Sequence, residues 1–270
     1  MPFTLIDTHC HLDFNQFNAD RREVIDRAIE AGVEKFINPG IDYPSSAGII
    51  RLAEAYPSLY AAIGIHPNDS AGWSESQLAD LKALTKHPKV VAIGEIGLDY
   101  YRHHSPREVQ VKLFEQQCAL AAEVGLPVIV HNRNASADVL SALARYVETL
   151  EASRSPLAER PGVLHSFSGA AEDARRAIEM KFLIGISGPV TFQNAHALQA
   201  LVAELPLQAM IIETDSPFLS PHPQRGKRNE PAYVAYVAEK IAQLKGAPLE
   251  EVARVTTNNA ARLFRWSENH

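Results

Sequence analysis

Seven residues of metal-ligand type share one position in the local pattern of this chain. His9 and His11, His66, Glu95, His131, His165 and Asp215 each stand just beyond a short apolar run. Neutral imidazoles and carboxylates are what divalent zinc, manganese and magnesium take as ligands. Brought to one cavity, such residues would make a hydrolytic metal centre. His9 and His11 are separated by two, so in extended chain both imidazoles point one way and Cys10 points the other. That geometry suits two ligands on one ion, with Cys10 as a small buried hydrophobe. Glu95 sits in Gly94-Glu95-Ile96-Gly97-Leu98-Asp99, where the flanking glycines let the backbone come close to whatever is bound. His66 is followed by Pro67, which fixes its loop and leaves a substrate contact or a structural role open. The other histidines, His87, His103, His104, His196, His222 and His270, fall in helix or loop contexts and read as solvated. Arg225, Lys227 and Arg228 share a Pro/Gly-rich stretch that is either solvated surface or a phosphate grip.

Residues so far apart in sequence need an architecture to bring them together. Eight short apolar, β-branched runs recur: Thr4–Ile6, Lys35–Asn38, Leu59–Gly64, Val90–Gly94, Pro127–Val130, Gly162–Leu164, Phe182–Ile186 and Met210–Glu213. Each is followed by a turn and an amphipathic stretch, the βα alternation of a parallel sheet buried on both faces. Helix signals lie between them. Ser105, Pro106 and Glu108 read as N-cap, first-turn proline and capping-box partner of a helix that repeats through Phe114, Cys118 and Ala121 and stops at Gly125. Asp20 with Glu23 reads as a capping box for a first helix ended by Gly32. Eight βα units in 270 residues, with no linker, repeat or low-complexity run, is the arithmetic of one (β/α)8 TIM barrel, α/β in class and spanning 1–270 as a single domain. In that fold the carboxyl ends of the strands open onto one face, where active sites lie. A doubly wound sheet is the alternative, but no G-x-G-x-x-G, Walker A or G-x-S-x-G sequence gives it a purpose.

Composition removes other classes. At 46% hydrophobic and 21% charged residues, the chain can bury a sizeable core and is neither disordered nor fibrous. Apolar stretches such as Leu59 to Ile65 are far short of the roughly 18 residues of a membrane span, so no membrane partner is expected. Asp7 and His9 come too early for a secretory segment. Two cysteines, Cys10 and Cys118, exclude a disulfide framework and favour a reducing, cytoplasmic setting. A net charge of −6 argues against a broadly basic coat for nucleic acid, so a polyanion would have to be held at a local site.

In this order the residues resemble the TatD family of metal-dependent deoxyribonucleases, of the amidohydrolase kind. The resemblance is carried by Asp7-Thr8-His9-Cys10-His11-Leu12-Asp13, Gly64-Ile65-His66-Pro67, Gly94 through Tyr101, His165-Ser166-Phe167-Ser168-Gly169, Glu213-Thr214-Asp215-Ser216-Pro217, Arg225 through Pro231 and Thr256-Thr257-Asn258-Asn259-Ala260. It runs nearly end to end and implies two divalent ions. His9, His11, Glu95 and Asp215 would hold one, and Glu95, His131 and His165 the other, with Glu95 bridging. Two departures are Ser166, where the family often has cysteine, and Asn134, where it often has aspartate. Neither stands among the implied ligands.

The resemblance implies a Mg²⁺- or Mn²⁺-dependent phosphodiesterase, with Zn²⁺ favoured by affinity at imidazole-rich ligation. Its substrate would be DNA ends, single-stranded or frayed, digested 3′→5′ in repair or degradation, with no protein partner implied. Ions about 3.5–4 Å apart would polarise the phosphate and a water. Asp215 would orient or deprotonate that water, with Glu95 and His66 beside it in the catalytic set. His66 and the Arg225, Lys227 and Arg228 loop would hold phosphate. A hydrolase of a small ester or amide, such as a deacylase, is the rival, since the same activated water attacks carbonyls. Many barrel amidohydrolases place a bridging lysine after strand four; here Glu95 has that place and Lys89 precedes the strand, which favours the nuclease. A scaffold with a structural metal would need a closed coordination shell.

Overall fold

The computed structural model describes residues 3–266, so the expectation for His270 lies outside the described residues. Its strands are β1 (Leu5–Asp7), β2 (Val33–Pro39), β3 (Leu59–Ile63), β4 (Val90–Asp99), β5 (Val128–Arg133), β6 (Gly162–Leu164), β7 (Leu183–Ile186) and β8 (Met210–Ile212). They follow one another in sheet order β1 to β8. A helix follows each strand in turn: α1 (Arg21–Glu30), α2 (Tyr43–Ala55), α3 (Glu75–Leu84), α4 (Arg107–Val124), α5 (Ser136–Ala152), α6 (Ala171–Glu179), α7 (His196–Glu204) and α8 (Val234–Lys245), before a final α9 (Leu249–Phe264). The fold is a (β/α)8 barrel, as the eight βα units require.

By internal packing the chain forms two compact units. One holds the described residues up to Asn38, together with Gly185–Arg262 and Trp266. Within it β1 pairs in parallel with β2, Ile6 opposite Lys35 and Asp7 opposite Phe36. The Thr8 amide meets the Ile212 carbonyl at 3.2 Å, setting the ends of β1 and β8 side by side. The Asn259 side chain of α9 donates to the Leu207 and Met210 carbonyls, both at 2.8 Å, and Thr257 donates to the Thr4 carbonyl at 2.9 Å. The polar run in the last helix therefore satisfies the backbone around β1 and β8, where orphaned carbonyls would be costly.

The second unit runs from Pro39 to Ile184, with Leu263–Arg265. Ile93, Ile96 and Leu98 of β4 are fully buried, each contributing about 1.5–3 kcal/mol relative to exposure. β4 continues beyond the expected end at Gly94, so Glu95 lies inside a strand, and His131 likewise lies inside β5. The glycines beside Glu95 have a packing reason. A Cβ on Gly94 would stand 2.7 Å from Ile129, and one on Gly97, at φ +138°, would stand 2.0 Å from the His131 carbonyl. They let β4 close against β5 rather than approach a ligand.

Both helix-start expectations shift in detail. Asp20 precedes α1 but makes no capping hydrogen bond, because its carboxylate is taken by Arg228 and Arg27. Ser105 does not cap α4 either: its hydroxyl donates to the Asn68 carbonyl, Pro106 takes the cap position and the helix starts at Arg107. Gly125 ends α4 in the left-handed region as expected. Among the described residues no helix is long and apolar enough to cross a membrane.

Candidate metal centre

The first cluster is His9, His11 and Asp215, in the unit that holds β1 and β8. Asp7, fully buried at the end of β1, organises it. One carboxylate oxygen accepts from the amides of Thr214 (2.9 Å) and His9 (3.3 Å), and the other from the Thr214 hydroxyl (2.6 Å). This fastens the β1 end to the turn after β8. The Asp215 amide then donates to the His9 carbonyl at 2.9 Å, and the His11 amide to the Ser216 carbonyl at 2.8 Å. The result is a pair of imidazoles with Nε2 atoms 3.2 Å apart, lying 3.9 and 3.7 Å from one Asp215 oxygen. Cys10 points away, buried, with its thiol toward the Ile37 carbonyl. Two nitrogens and a carboxylate oxygen converging at these distances fit a divalent cation. Burial raises the Asp7 carboxyl to about 8, offset in part by its hydrogen bonds from Thr214 and His9.

The second cluster surrounds Glu95 in the other unit. One Glu95 carboxylate oxygen lies 2.8 Å from His131 Nδ1, 3.4 Å from His165 Nε2 and 3.7 Å from His66 Nε2. Glu95, His66 and His131 form a group able to hold an ion. Behind His131 stands Asp99, whose oxygen is 3.3 Å from Nε2 and also accepts from Asn68 Nδ2 at 3.1 Å. Burial alone would lower the His131 pKa, but hydrogen bonds to Asp99 and Glu95 outweigh it and the value is raised. Burial would likewise raise the Asp99 carboxyl, yet the bonds from His131, the Arg102 amide and Asn68 hold it well below the usual range.

Two buried glutamines on α4 place this cluster. Gln117 accepts from the Ile65 amide (2.8 Å) and donates to the Ile65 carbonyl (3.0 Å), fixing the residue before His66. Gln110 does the same to Asp99 at 2.8 and 3.1 Å, and donates also to the Ser105 carbonyl. His66 itself caps the turn Pro67–Gly72, its Nδ1 accepting from the Asn68 amide at 3.1 Å.

The three cations of the β8–α8 loop have different situations. Arg225 is exposed, its guanidinium 4.1 Å from the Phe192 ring centre. Lys227 is exposed and reaches Gln224 at 3.0 Å. Arg228 is engaged on every side, with Asp20 at 2.7 Å, Glu230 at 3.0 Å and the Gln16 carbonyl at 2.7 Å. His103, His104, His196 and His222 are exposed as expected, whereas His87 is half-buried and pairs with Glu54 at 3.1 Å. Lys89 is bound to the carbonyls of Tyr56, Pro57 and Leu59, which removes it from any ligand role. Sequence reasoning missed the supporting roles of Asp7, Asp99, Asn68, Gln110 and Gln117. Asp7 and Asp99 stand in the motif strings themselves. Gln110 and Gln117, seven apart on the buried face of α4, were detectable as polar residues at helical spacing among apolar ones.

Residues 6–265 match the family described as TatD related DNase. The chain is similar to the uncharacterized metal-dependent hydrolase YabD of Bacillus subtilis, 48% identical over 261 residues covering 97% of this chain and 99% of that protein. It is also similar to the 3'-5' ssDNA/RNA exonuclease TatD of Edwardsiella piscicida, 36% identical over 268 residues, 97% of this chain and 99% of that one. Among solved structures, the TatD homolog YJJV from Escherichia coli superposes with a TM-score of 0.89 at 35% identity, covering 97% of this chain and 98% of that chain.

Proposed function

Because the chain belongs to the TatD-related DNase family of metal-dependent hydrolases, we propose that it is a deoxyribonuclease that removes nucleotides 3′→5′ from single-stranded or frayed DNA ends. The observation that carries this reading is the presence of two clusters, His9 with His11 and Asp215, and Glu95 with His131 and His165, each offering imidazole and carboxylate together. We assign one divalent ion to each, Mg²⁺ or Mn²⁺ for turnover, with Zn²⁺ able to bind the imidazoles. When bound, such ions supply Lewis acidity that lowers the pKa of water and offsets charge on a phosphoryl group.

The chain's own residues do the rest. Asp215, half-buried beside His9 and His11, orients the attacking water and accepts its proton. Glu95, buried, sets one carboxylate oxygen within reach of His131 and His165 and so orients both rings around one position. His66, held by Gln117 through Ile65, contacts phosphate through Nε2, since its Nδ1 already accepts from Asn68. Arg225 and Lys227, exposed and without a carboxylate partner among the described residues, grip the phosphates. Arg228 contributes by anchoring that loop to Asp20 and Glu230. An end-binding enzyme needs one grip at one terminus, which suits a chain with net charge −6. The buried free thiols Cys10 and Cys118 suit the cytoplasmic setting we propose, and we take 1–270 as one working domain.

The test is incubation of metal-repleted protein with end-labelled single-stranded DNA beside a panel of esters and amides. Mononucleotide release from the 3′ end supports the reading. Turnover confined to an ester or amide transfers the same clusters to acyl chemistry.

A further inference from the structure

We infer that Phe218, backed by Phe14, is a platform on which the base of an unpaired terminal nucleotide stacks. The inference rests on the nucleic-acid reading above and deepens it. Phe218 follows Asp215 by three residues and leaves 46% of its surface exposed. A single exposed aromatic is ordinary; a rigidly mounted one beside metal ligands is not. The Phe218 amide donates to the Asp215 carbonyl at 2.9 Å. Asn229, fully buried, donates from its side chain to the carbonyls of Phe218 (2.6 Å) and Thr214 (2.8 Å) and from its amide to Pro217 (3.1 Å). The backbone under the ring is thus fixed from both sides while the ring itself faces water.

The ring is one corner of an aromatic triad that includes His11. Phe14 stacks on His11, with centroids 4.5 Å apart and planes 21° from parallel. Phe218 meets Phe14 edge-on at 6.0 Å and His11 at 6.5 Å. The same loop carries exposed Arg225 and Lys227. A nucleotide offers one counterpart to each feature, a flat π-face for the ring, non-bridging oxygens for the cations and a scissile phosphate for the cluster at Asp215. Ring stacking is indifferent to base identity, since every base has a π-face, and so suits an enzyme that meets any sequence at an end.

The platform is tested with Phe218→Ala and Phe218→Trp, using single-stranded DNA that ends in 2-aminopurine behind a phosphorothioate linkage for binding and ordinary DNA for turnover. In the wild type, stacking quenches the 2-aminopurine fluorescence. Phe218→Ala should abolish the quench and raise KM roughly 5- to 150-fold, the range for loss of one stacked base, with kcat and metal content little changed. Phe218→Trp should restore both. DNA whose terminal nucleotide lacks a base should be cut equally by wild type and Phe218→Ala. Wild-type cleavage with quench and KM unaltered in Phe218→Ala overturns the platform and leaves the nuclease reading standing. A wild type that neither binds nor cuts the DNA overturns both. Loss of bound metal in Phe218→Ala makes the ring a packing support for His11 and overturns the platform, as does a change confined to sedimentation, which would make it a contact between copies.

Discussion

Gln117 holds Ile65 by both backbone groups, accepting from the amide at 2.8 Å and donating to the carbonyl at 3.0 Å. The grip fixes where His66 stands, one residue on, from a helix whose buried face is apolar apart from Gln110 and Gln117. Leaving a buried backbone donor or acceptor unsatisfied costs about 1–3 kcal/mol. Gln117→Leu removes both partners, so we expect a destabilisation of about 2–4 kcal/mol, together with a raised KM for DNA as His66 loses its placement. Urea unfolding with parallel kinetics measures the two effects; an unchanged midpoint would show that the paired bonds are dispensable.

Gly97→Ala should act on the Glu95 cluster without touching a ligand. The added Cβ would stand 2.0 Å from the carbonyl of His131, at a φ of +138° that side chains rarely adopt. β5 must move at His131, and the ion shared with Glu95 should be held at least about 10-fold more weakly, an effect of the order of one strained residue's 1–3 kcal/mol. Titration with Mn²⁺ followed by electron paramagnetic resonance reads this directly. Wild-type affinity in Gly97→Ala would mean that β4 and β5 are not the elements that set the ligand geometry.

Much of this was legible in the sequence, and its misses are physical. The βα alternation located all eight strands because a buried parallel strand reads as a continuous apolar run. It stopped β4 at Gly94 because glycine ordinarily punctuates, whereas here Gly94 and Gly97 are required by the closeness of β5. The ligand types at strand ends were visible for the same reason that the strands were. The Asp20 and Ser105 caps were misread because sequence windows show local acceptors and not distant donors: Arg228 reaches Asp20 from 208 residues away. Asp7, Asp99 and the α4 glutamines act through backbone groups whose positions only the folded chain defines.

Acid should release metal from the second cluster before the ordinary histidine value is reached. The raised pKa of His131 in the metal-free protein means that a proton is held there above about pH 6.5, and metal must displace it. Affinity and turnover should therefore fall as the pH drops, starting above 6.5. In the metal-free protein the sign reverses for stability. Protonated His131 contributes fully below the unfolded value and that contribution is lost as pH rises through the folded one. Isothermal titration across pH 5 to 8 tests both, and a flat profile would remove the imidazoles from the ligand set.

The loop cations should separate by role. Arg225→Ala with Lys227→Ala should weaken DNA binding and reduce the slope of log affinity against log salt by about 1–2, one for each phosphate no longer neutralised. Arg228→Ala should leave that slope near the wild type but loosen the loop, since its guanidinium is committed to Asp20 and Glu230. Asp20→Asn should mimic it at neutral pH. Arg228 hydrogen bonding holds the Asp20 carboxyl below its usual value, so this stabilisation is present above the unfolded pKa and vanishes as pH falls through the folded one. Equal salt slopes in all variants would place the DNA elsewhere.

The most direct measurement is the metal content and nuclease rate of Glu95→Gln. The substitution keeps size and removes a carboxylate oxygen that lies within 3.7 Å of His66, His131 and His165 alike. The strands and helices make the core without it, so the variant should remain folded, lose one of two bound ions by inductively coupled plasma analysis and cleave single-stranded DNA at least about 100-fold more slowly. His196→Ala, an exposed position at the start of α7, should match the wild type. Two ions retained in Glu95→Gln with near-normal cleavage would contradict the assignment of a catalytic ion to the Glu95 cluster.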